Sequence, residues 1–214
     1  LNMKRKEFIK LASTGALGIS SLGYISCQSQ KEIFFKLSLA QWSLHKAIQG
    51  GEMSPYLFAE KSKNLGFTGL EYVNQLYDDV MLSDDKSSSI KNFIKQSNQL
   101  ASDNGVENVL IMIDEEGYLA DENESVRLQA IDNHKLWIDT AAEMNCSSVR
   151  LNLYGSKDVE TWKALSIDSL GKLGEHAKGS GLNVIVENHG RITSNIPELM
   201  NAINGVDMEN VGTL

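Results

Sequence analysis

Short apolar strands alternate with amphipathic helical stretches from residue 31 to residue 214, and this alternation limits the possible folds more than any other feature. The strict order of strand and helix predicts parallel strands that are joined by helical crossovers. Strands are predicted at residues 33–44, 68–73, 108–113, 147–153 and 182–188, with a sixth beginning at 211. Helices are predicted at residues 54–65, 87–104, 124–144, 158–178 and 194–203.

Two architectures fit this order, an open doubly wound sheet and a closed (β/α)8 barrel. The first strand is not followed by the glycine-rich turn that a dinucleotide-binding sheet needs, which favours the barrel. A barrel has eight units and about 250 residues, whereas this sequence has five units and the start of a sixth strand. The predicted fold class is therefore α/β, an incomplete TIM barrel, and we expect the native chain to continue past Leu214.

The first 30 residues predict an export segment, and residues 31–214 the barrel. A basic stretch that includes Arg5 and Lys6 precedes an apolar stretch at 11–25, as in a signal peptide. The basic stretch resembles a twin-arginine signal with Lys6 in place of the second arginine. Residues 24–27 resemble a lipoprotein cleavage box, which predicts a lipid on Cys27 as the only link to a membrane. We expect an exported protein, periplasmic or lipid-anchored; an amphipathic helix is disfavoured by the serine and glycine content.

The net charge of -8 argues against nucleic acid as a partner, because an acidic surface repels phosphate backbones. The first 26 residues are basic, so the rest of the chain is more acidic than the total suggests. Cys27 and Cys146 are the only cysteines, so neither a disulfide framework nor a cysteine metal site is predicted.

Side chains alternate along each predicted strand, and one face of nearly every strand is apolar. The opposite face turns polar toward the C-terminal end of the strand, which in a TIM barrel is the end that carries the active site. If the side chains alternate in this way, five of them would lie on the inward face and meet around one cavity: Trp42, Glu71, Asp114, Asn152 and Glu187. The alternative is that each is a solvated residue at the end of its strand.

Several stretches resemble the xylose-isomerase-like TIM-barrel sugar isomerases and epimerases. They are residues 39–45 (LAQWSLH), 66–72 (GFTGLEY) and 184–190 (VIVENHG), and residues 210–214 (NVGTL) resemble the lead-in to strand six. The resemblance covers nearly all of the chain after the export segment. It implies that Glu187 is both a metal ligand and a catalytic carboxylate, with the other ligands beyond Leu214.

The chemistry that the resemblance implies is a proton transfer next to a sugar carbonyl, through an ene-diolate. A divalent cation stabilises the developing charge, and carboxylates remove and return the proton. Oxygen and imidazole ligands suit manganese, magnesium, cobalt or zinc. The expected partner is a small sugar or sugar derivative.

Each candidate also has a structural interpretation. The residues predicted to bind substrate are Trp42, His45, Glu71, Asn152 and His189. Trp42 could instead be core, His45 and His189 loop residues, and Glu71 the partner of a base such as Arg150. Glu187 could form an internal salt bridge. The acidic run 114–116 is predicted to be solvated, His134 and His176 to lie on helices as outer or packing residues, and Trp137 and Trp162 to be core.

Three other functions compete with a sugar isomerase or epimerase. A sugar or cyclitol dehydratase would use related chemistry, and a non-catalytic sugar-binding lipoprotein would lack later metal ligands. An apurinic-site endonuclease needs many histidines and a surface that tolerates DNA, and the acidic charge disfavours it. Fold alone does not choose among them.

Overall fold

A computed structural model describes residues 35–214 of the chain. Its strands form one parallel sheet in the order of the sequence: β1 (Ser38–Ala40), β2 (Gly69–Val73), β3 (Glu107–Ile113), β4 (Ser148–Leu151), β5 (Asn183–Val186) and β6 (Val211–Thr213). The α-helices are α1 (His45–Gln49), α2 (Phe58–Asn64), α3 (Asp78–Met81), α4 (Lys86–Asn104), α5 (Glu124–Glu143), α6 (Val159–Lys178) and α7 (Ile196–Val206). The predicted α/β class is confirmed, with six parallel strands that alternate with helices.

The predicted export segment, including Cys27, lies outside the described residues. Within residues 35–214, none of the helices combines the length and the apolar character that crossing a membrane requires.

Most helix boundaries follow the local signals in the sequence. The Ser54 side chain accepts a hydrogen bond from the Tyr56 N–H ahead of α2, and Gly105 ends α4 in a left-handed conformation. The predicted end of the last helix before Gly205 is wrong, because α7 continues to Val206. Gly205 instead permits close packing: a Cβ there would lie 2.5 Å from the Ile167 side chain on α6.

The first strand is shorter than predicted. It covers only three residues, and a 3-10 turn at Gln41–Leu44 follows it. The buried Gln41 side chain explains the turn, since its Oε1 accepts the Val73 N–H at 3.0 Å and its Nε2 donates to the Tyr77 hydroxyl at 2.9 Å. The Gln41 side chain thus accepts the Val73 N–H, which a backbone carbonyl of β1 would otherwise accept. The chain therefore leaves the sheet before Trp42.

The two faces of the sheet divide as the alternation predicts. One face packs against the helices, as shown by Tyr72 of β2, whose ring makes edge contacts with Phe58 and Phe93. The register aligns Met112, Arg150 and Ile185 across the other face. Within the strands that face mixes apolar residues with Glu71 and Arg150, and it is polar at the C-terminal ends of the strands, which we call the mouth.

The loops after β3 and β4 are joined at the mouth. Ala120 and Gly155 form an isolated parallel bridge, in which the Ala120 N–H donates to the Tyr154 carbonyl at 2.8 Å. Gly155 has a φ of 153°, and a Cβ on it would lie 1.9 Å from the Ala120 carbonyl oxygen. Only glycine allows the two loops to approach this closely.

Candidate active site

An arginine between two carboxylates forms the centre of the mouth. Arg150, near the end of β4, places Nη1 2.9 Å from Asp114 Oδ1 and Nε 3.0 Å from Glu187 Oε2. The Nε–H does not point at the Glu187 oxygen well enough for a hydrogen bond, so this second contact is an ion pair. Asn152 Nδ2 also donates to Asp114 Oδ1, at 2.8 Å. Three strands therefore bring Asp114, Asn152 and Glu187 together around one guanidinium.

The cluster is shielded from solvent to different degrees. Arg150 is 7% exposed, Asp114 16% and Glu187 29%, so Glu187 is the most accessible of the three charged groups. Asp114 is held from behind, because its N–H donates to Asn74 Oδ1 at 2.8 Å and its carbonyl accepts from Asn74 Nδ2 at 2.9 Å. Within the described residues, the buried Asn152 Oδ1 has no hydrogen-bond donor. The site thus offers one accessible carboxylate and one unused acceptor.

Aromatic and basic groups from the loops after β3, β4 and β5 line the same end of the sheet. The Tyr154 hydroxyl lies 2.6 Å from His189 Nδ1 and 3.3 Å from the His189 carbonyl oxygen. Burial raises the pKa of Tyr154, with the Asp114 charge adding to the effect, so the phenol keeps its proton for this contact. Tyr118 packs edge-on against Tyr154, and the Arg191 guanidinium lies 5.3 Å from the Tyr154 ring centre.

Trp42 and His45 form a second aromatic surface, after β1. Their rings stack with centroids 4.2 Å apart and planes 5° apart, and His45 Nδ1 lies 2.5 Å from the Trp42 carbonyl oxygen. Trp42 is 41% exposed and therefore does not belong to the core. Neither residue contacts the Arg150 cluster, so the structure pairs them with each other rather than with the other candidates.

Glu71 is separate from the cluster. Its Oε1 accepts from Ser38 Oγ at 2.5 Å, at the start of β1, and its register partners are Ala40 and Leu110. It lies one level deeper in the sheet than Arg150, because Arg150 is aligned with Met112. The suggested pairing of Glu71 with Arg150 is wrong, since Arg150 is occupied by the other two carboxylates.

The prediction of a solvated acidic run at residues 114–116 is wrong for two of its three members. Asp114 belongs to the cluster, and Glu116 Oε1 accepts from Trp137 Nε1 at 2.5 Å. Only Glu115 is exposed. The sequence gives no local sign of this difference, because both partners come from other elements.

The remaining sequence predictions concern helix residues. Trp137 and Trp162 are core, as predicted. His134 is a packing residue at 2% exposure, and its Nδ1 lies 2.7 Å from the Ala130 carbonyl oxygen. His176 is on the outside, where Nε2 pairs with Asp139 at 2.7 Å. Sequence reasoning missed the central position of Arg150 and the roles of Tyr154 and Arg191, although the polar phase of β4 contains both Arg150 and Tyr154.

Glu187 could serve as one ligand of a metal ion, but residues 35–214 do not supply the other ligands. Its Oε2 lies 3.0 Å from Arg150 Nε, and its Oε1 accepts no hydrogen bond within residues 35–214. No group of three histidine, cysteine, aspartate or glutamate residues in this part of the chain could hold a metal ion. A resident metal would therefore need ligands other than those described.

The xylose isomerase-like TIM barrel family model matches residues 59–214. The chain belongs to this family. No curated protein sequence matches the chain significantly. Family membership confirms the resemblance noted in the sequence, and it agrees with the parallel sheet and with the position of the polar cluster at the C-terminal end of the strands.

Several solved structures share the fold of this chain. The zinc-bound IolI protein has a TM-score of 0.64 and 17% identity over 84% of this chain. D-psicose 3-epimerase from Clostridium cellulolyticum H10, solved with D-tagatose, has a TM-score of 0.65 and 17% identity over 83%. The probable 3-DHS dehydratase AsbF from Bacillus anthracis has a TM-score of 0.59 and 15% identity over 83%.

These similarities show the fold and leave the activity open. The chain covers 62% of the IolI protein, 62% of the epimerase and 61% of the dehydratase, which is less than two thirds of each. The structures that share this fold include a sugar epimerase and a probable dehydratase, and an identity of 15–17% does not discriminate between their activities.

Proposed function

We propose that the full-length protein is a metal-dependent sugar isomerase or epimerase that moves a proton next to a carbonyl through an ene-diolate. The observation that carries the proposal is the Glu187 carboxylate, which lies on the inward face at the mouth with one oxygen paired to Arg150 and the other without a hydrogen bond. TIM-barrel enzymes place their chemistry at this end of the strands. The family membership supplies the reaction class that this carboxylate can serve.

Glu187 has two roles in the proposal, as one ligand of a divalent cation and as a carboxylate that exchanges a proton with the substrate. Manganese, magnesium, cobalt or zinc, when bound, would polarise the substrate carbonyl. Arg150 fixes the Glu187 carboxylate in position and balances its charge together with that of Asp114. Positioning of this kind contributes to the rate because the reacting groups are already oriented.

The substrate side of the proposal uses hydrogen-bonding and aromatic groups. Asn152 is fixed at the mouth by its hydrogen bond to Asp114, in the position from which the predicted contact with a sugar hydroxyl would be made. His189, held by the Tyr154 hydroxyl, can contact a second hydroxyl. The stacked Trp42 and His45 offer a flat surface of the kind that packs against a sugar ring. Among the residues predicted to bind substrate, Glu71 has the least support, because its carboxylate already accepts a hydrogen bond from Ser38.

Solvent deuterium exchange tests the reaction directly. The full-length protein is incubated in D2O with a panel of ketoses and aldoses, and NMR follows exchange at the carbon next to the carbonyl. We expect exchange that a chelator abolishes and that Mn²⁺, Mg²⁺, Co²⁺ or Zn²⁺ restores. Glu187→Gln should lower the rate by at least about 100-fold, in the range found for a positioned acid or base. Glu209→Gln, an exposed glutamate beyond α7, serves as the matched control.

The products distinguish the competing functions. Loss of water without epimer or isomer formation would indicate a dehydratase, and sugar binding without exchange would indicate a binding protein. Full activity of Glu187→Gln would remove this residue from the mechanism, whatever the reaction.

We further propose that the protein is exported and carries a lipid on Cys27, from the signal-like pattern of residues 1–30 alone. Membrane and soluble fractions of the native host test this. Cys27→Ser should move the protein from the membrane fraction to the soluble fraction, and an unchanged distribution would contradict lipidation.

A further inference from the structure

We propose that the mouth contains a subsite for an anionic substituent of the sugar, a phosphate or a carboxylate, formed by Arg191 and Lys157. This inference rests on the proposed function and specifies the substrate class. The subsite is a cleft of about 530 Å³ between the loop after β4 and the segment leading into α7. Tyr154 and Arg191 line both this cleft and a second cavity, of about 500 Å³, that is also lined by His189.

Arg191 is held in an unusual backbone conformation. Its φ is 53°, in the left-handed region that side chains other than glycine rarely adopt, and Gly190 before it has a φ of 79°. The turn is closed by Thr193, whose hydroxyl donates to the Gly190 carbonyl at 2.8 Å. Unfavourable backbone conformations of this kind persist mainly where a site requires a side chain in one place. Here the conformation places the guanidinium over Tyr154.

The guanidinium retains its hydrogen-bonding capacity in this position. It lies over the Tyr154 ring, 5.3 Å from the ring centre, and its N–H groups donate no hydrogen bond within residues 35–214. An arginine held on an aromatic ring is well suited to bind a phosphate or a carboxylate through two parallel hydrogen bonds.

The charges that line the cleft favour an anion. Arg150 faces the carboxylates of Asp114 and Glu187 and offers no free positive charge. Within residues 35–214, no carboxylate oxygen lies within 4.0 Å of the cationic groups of Arg191 or Lys157. Lys157 and Arg191 outnumber Glu198, the one carboxylate in the lining of the cleft, so the lining has a net positive charge that an anionic ligand would offset.

Glu198 also lines the cleft, and within residues 35–214 no cationic group lies within 4.0 Å of its carboxylate. The apolar residues beneath the cleft, Leu153 and Trp162, are buried, so they form its base and offer little surface of their own. The accessible surface of the cleft combines the Tyr154 ring and the half-buried Val159 and Ile192 with the two cations.

Ligand titration of the full-length protein tests the subsite. Isothermal calorimetry is run with inorganic phosphate, D-glucose 6-phosphate, D-glucuronate and D-glucose. We expect one or both anionic sugars to bind more tightly than D-glucose, and their relative affinities distinguish a phosphate from a carboxylate preference. Arg191→Asn should weaken the preferred anion by about ten-fold or more, because a hydrogen bond to a charged group is lost. Asparagine tolerates the left-handed backbone, so the turn should keep its shape.

Controls separate this inference from the proposed reaction. Lys157→Gln should also weaken the preferred anion, whereas Lys95→Gln, an exposed lysine on α4, should not. Equal affinity of all variants for the anions, or equal loss in the Lys95 variant, would overturn the subsite. Anion binding that depends on Arg191, with no deuterium exchange on any sugar, would uphold the subsite and reject the isomerase. Exchange on neutral sugars alone, unaffected by Arg191→Asn, would uphold the isomerase and reject the subsite.

Discussion

Replacing Arg150 with methionine tests how much its buried guanidinium contributes to the free energy of unfolding. Arg150 is 7% exposed and faces two carboxylates at 2.9 and 3.0 Å, and methionine can fill its place between Met112 and Ile185. Removing one partner of a fully buried ion pair costs about 3–5 kcal/mol, because the remaining charge is left uncompensated. Glu187 is 29% exposed and partly solvated, so we expect a loss of about 2–4 kcal/mol in the free energy of unfolding.

Urea denaturation of the full-length protein, followed by tryptophan fluorescence, measures this loss. A double-mutant cycle with Asp114→Asn isolates the pair: the double variant should be more stable than the sum of the single effects by about 1–3 kcal/mol. Lys172→Met is the matched control, because Lys172 pairs with Asp168 on the exposed surface of α6 and should cost no more than about 0.5 kcal/mol. A loss below about 1 kcal/mol for Arg150→Met, or a cycle without coupling, would refute the reasoning.

Three further predictions concern groups outside the cluster. Burial lowers the pKa of His134 to about 4, so below pH 6.5 the unfolded chain takes up a proton that the folded chain does not. The free energy of unfolding should therefore fall by roughly 3 kcal/mol between pH 6.5 and 4. Urea titrations of His134→Gln across this range should lack that contribution. Gly155→Ala should cost about 2 kcal/mol or more, since its Cβ would overlap the Ala120 carbonyl, and an unchanged urea midpoint would contradict this. Burial raises the pKa of the Cys146 thiol to about 12, so a thiol reagent should label it only after unfolding; rapid labelling of the native protein would be inconsistent with its burial.

The sequence by itself determined the order and type of the main elements. The alternation of apolar strands with amphipathic helices led to a parallel sheet, and local caps such as Ser54 and Gly105 located helix boundaries. The alternation of side chains also placed Asp114, Asn152 and Glu187 on the inward face, because this property depends only on the chain's own geometry. These are local signals, and each is contained in a few neighbouring residues.

The partners of each side chain were decided by the tertiary structure. Arg150 could not be assigned to Asp114 and Glu187 rather than to Glu71 until the register between the strands was known. Trp42 lies outside β1 because the Gln41 side chain accepts a hydrogen bond from the Val73 N–H at the end of β2, 32 residues further along the chain. Arg191 lies on Tyr154 through a turn whose left-handed conformation no sequence pattern indicated. Contacts between distant segments depend on register, loop conformation and burial together, and none of these is encoded in a single short stretch.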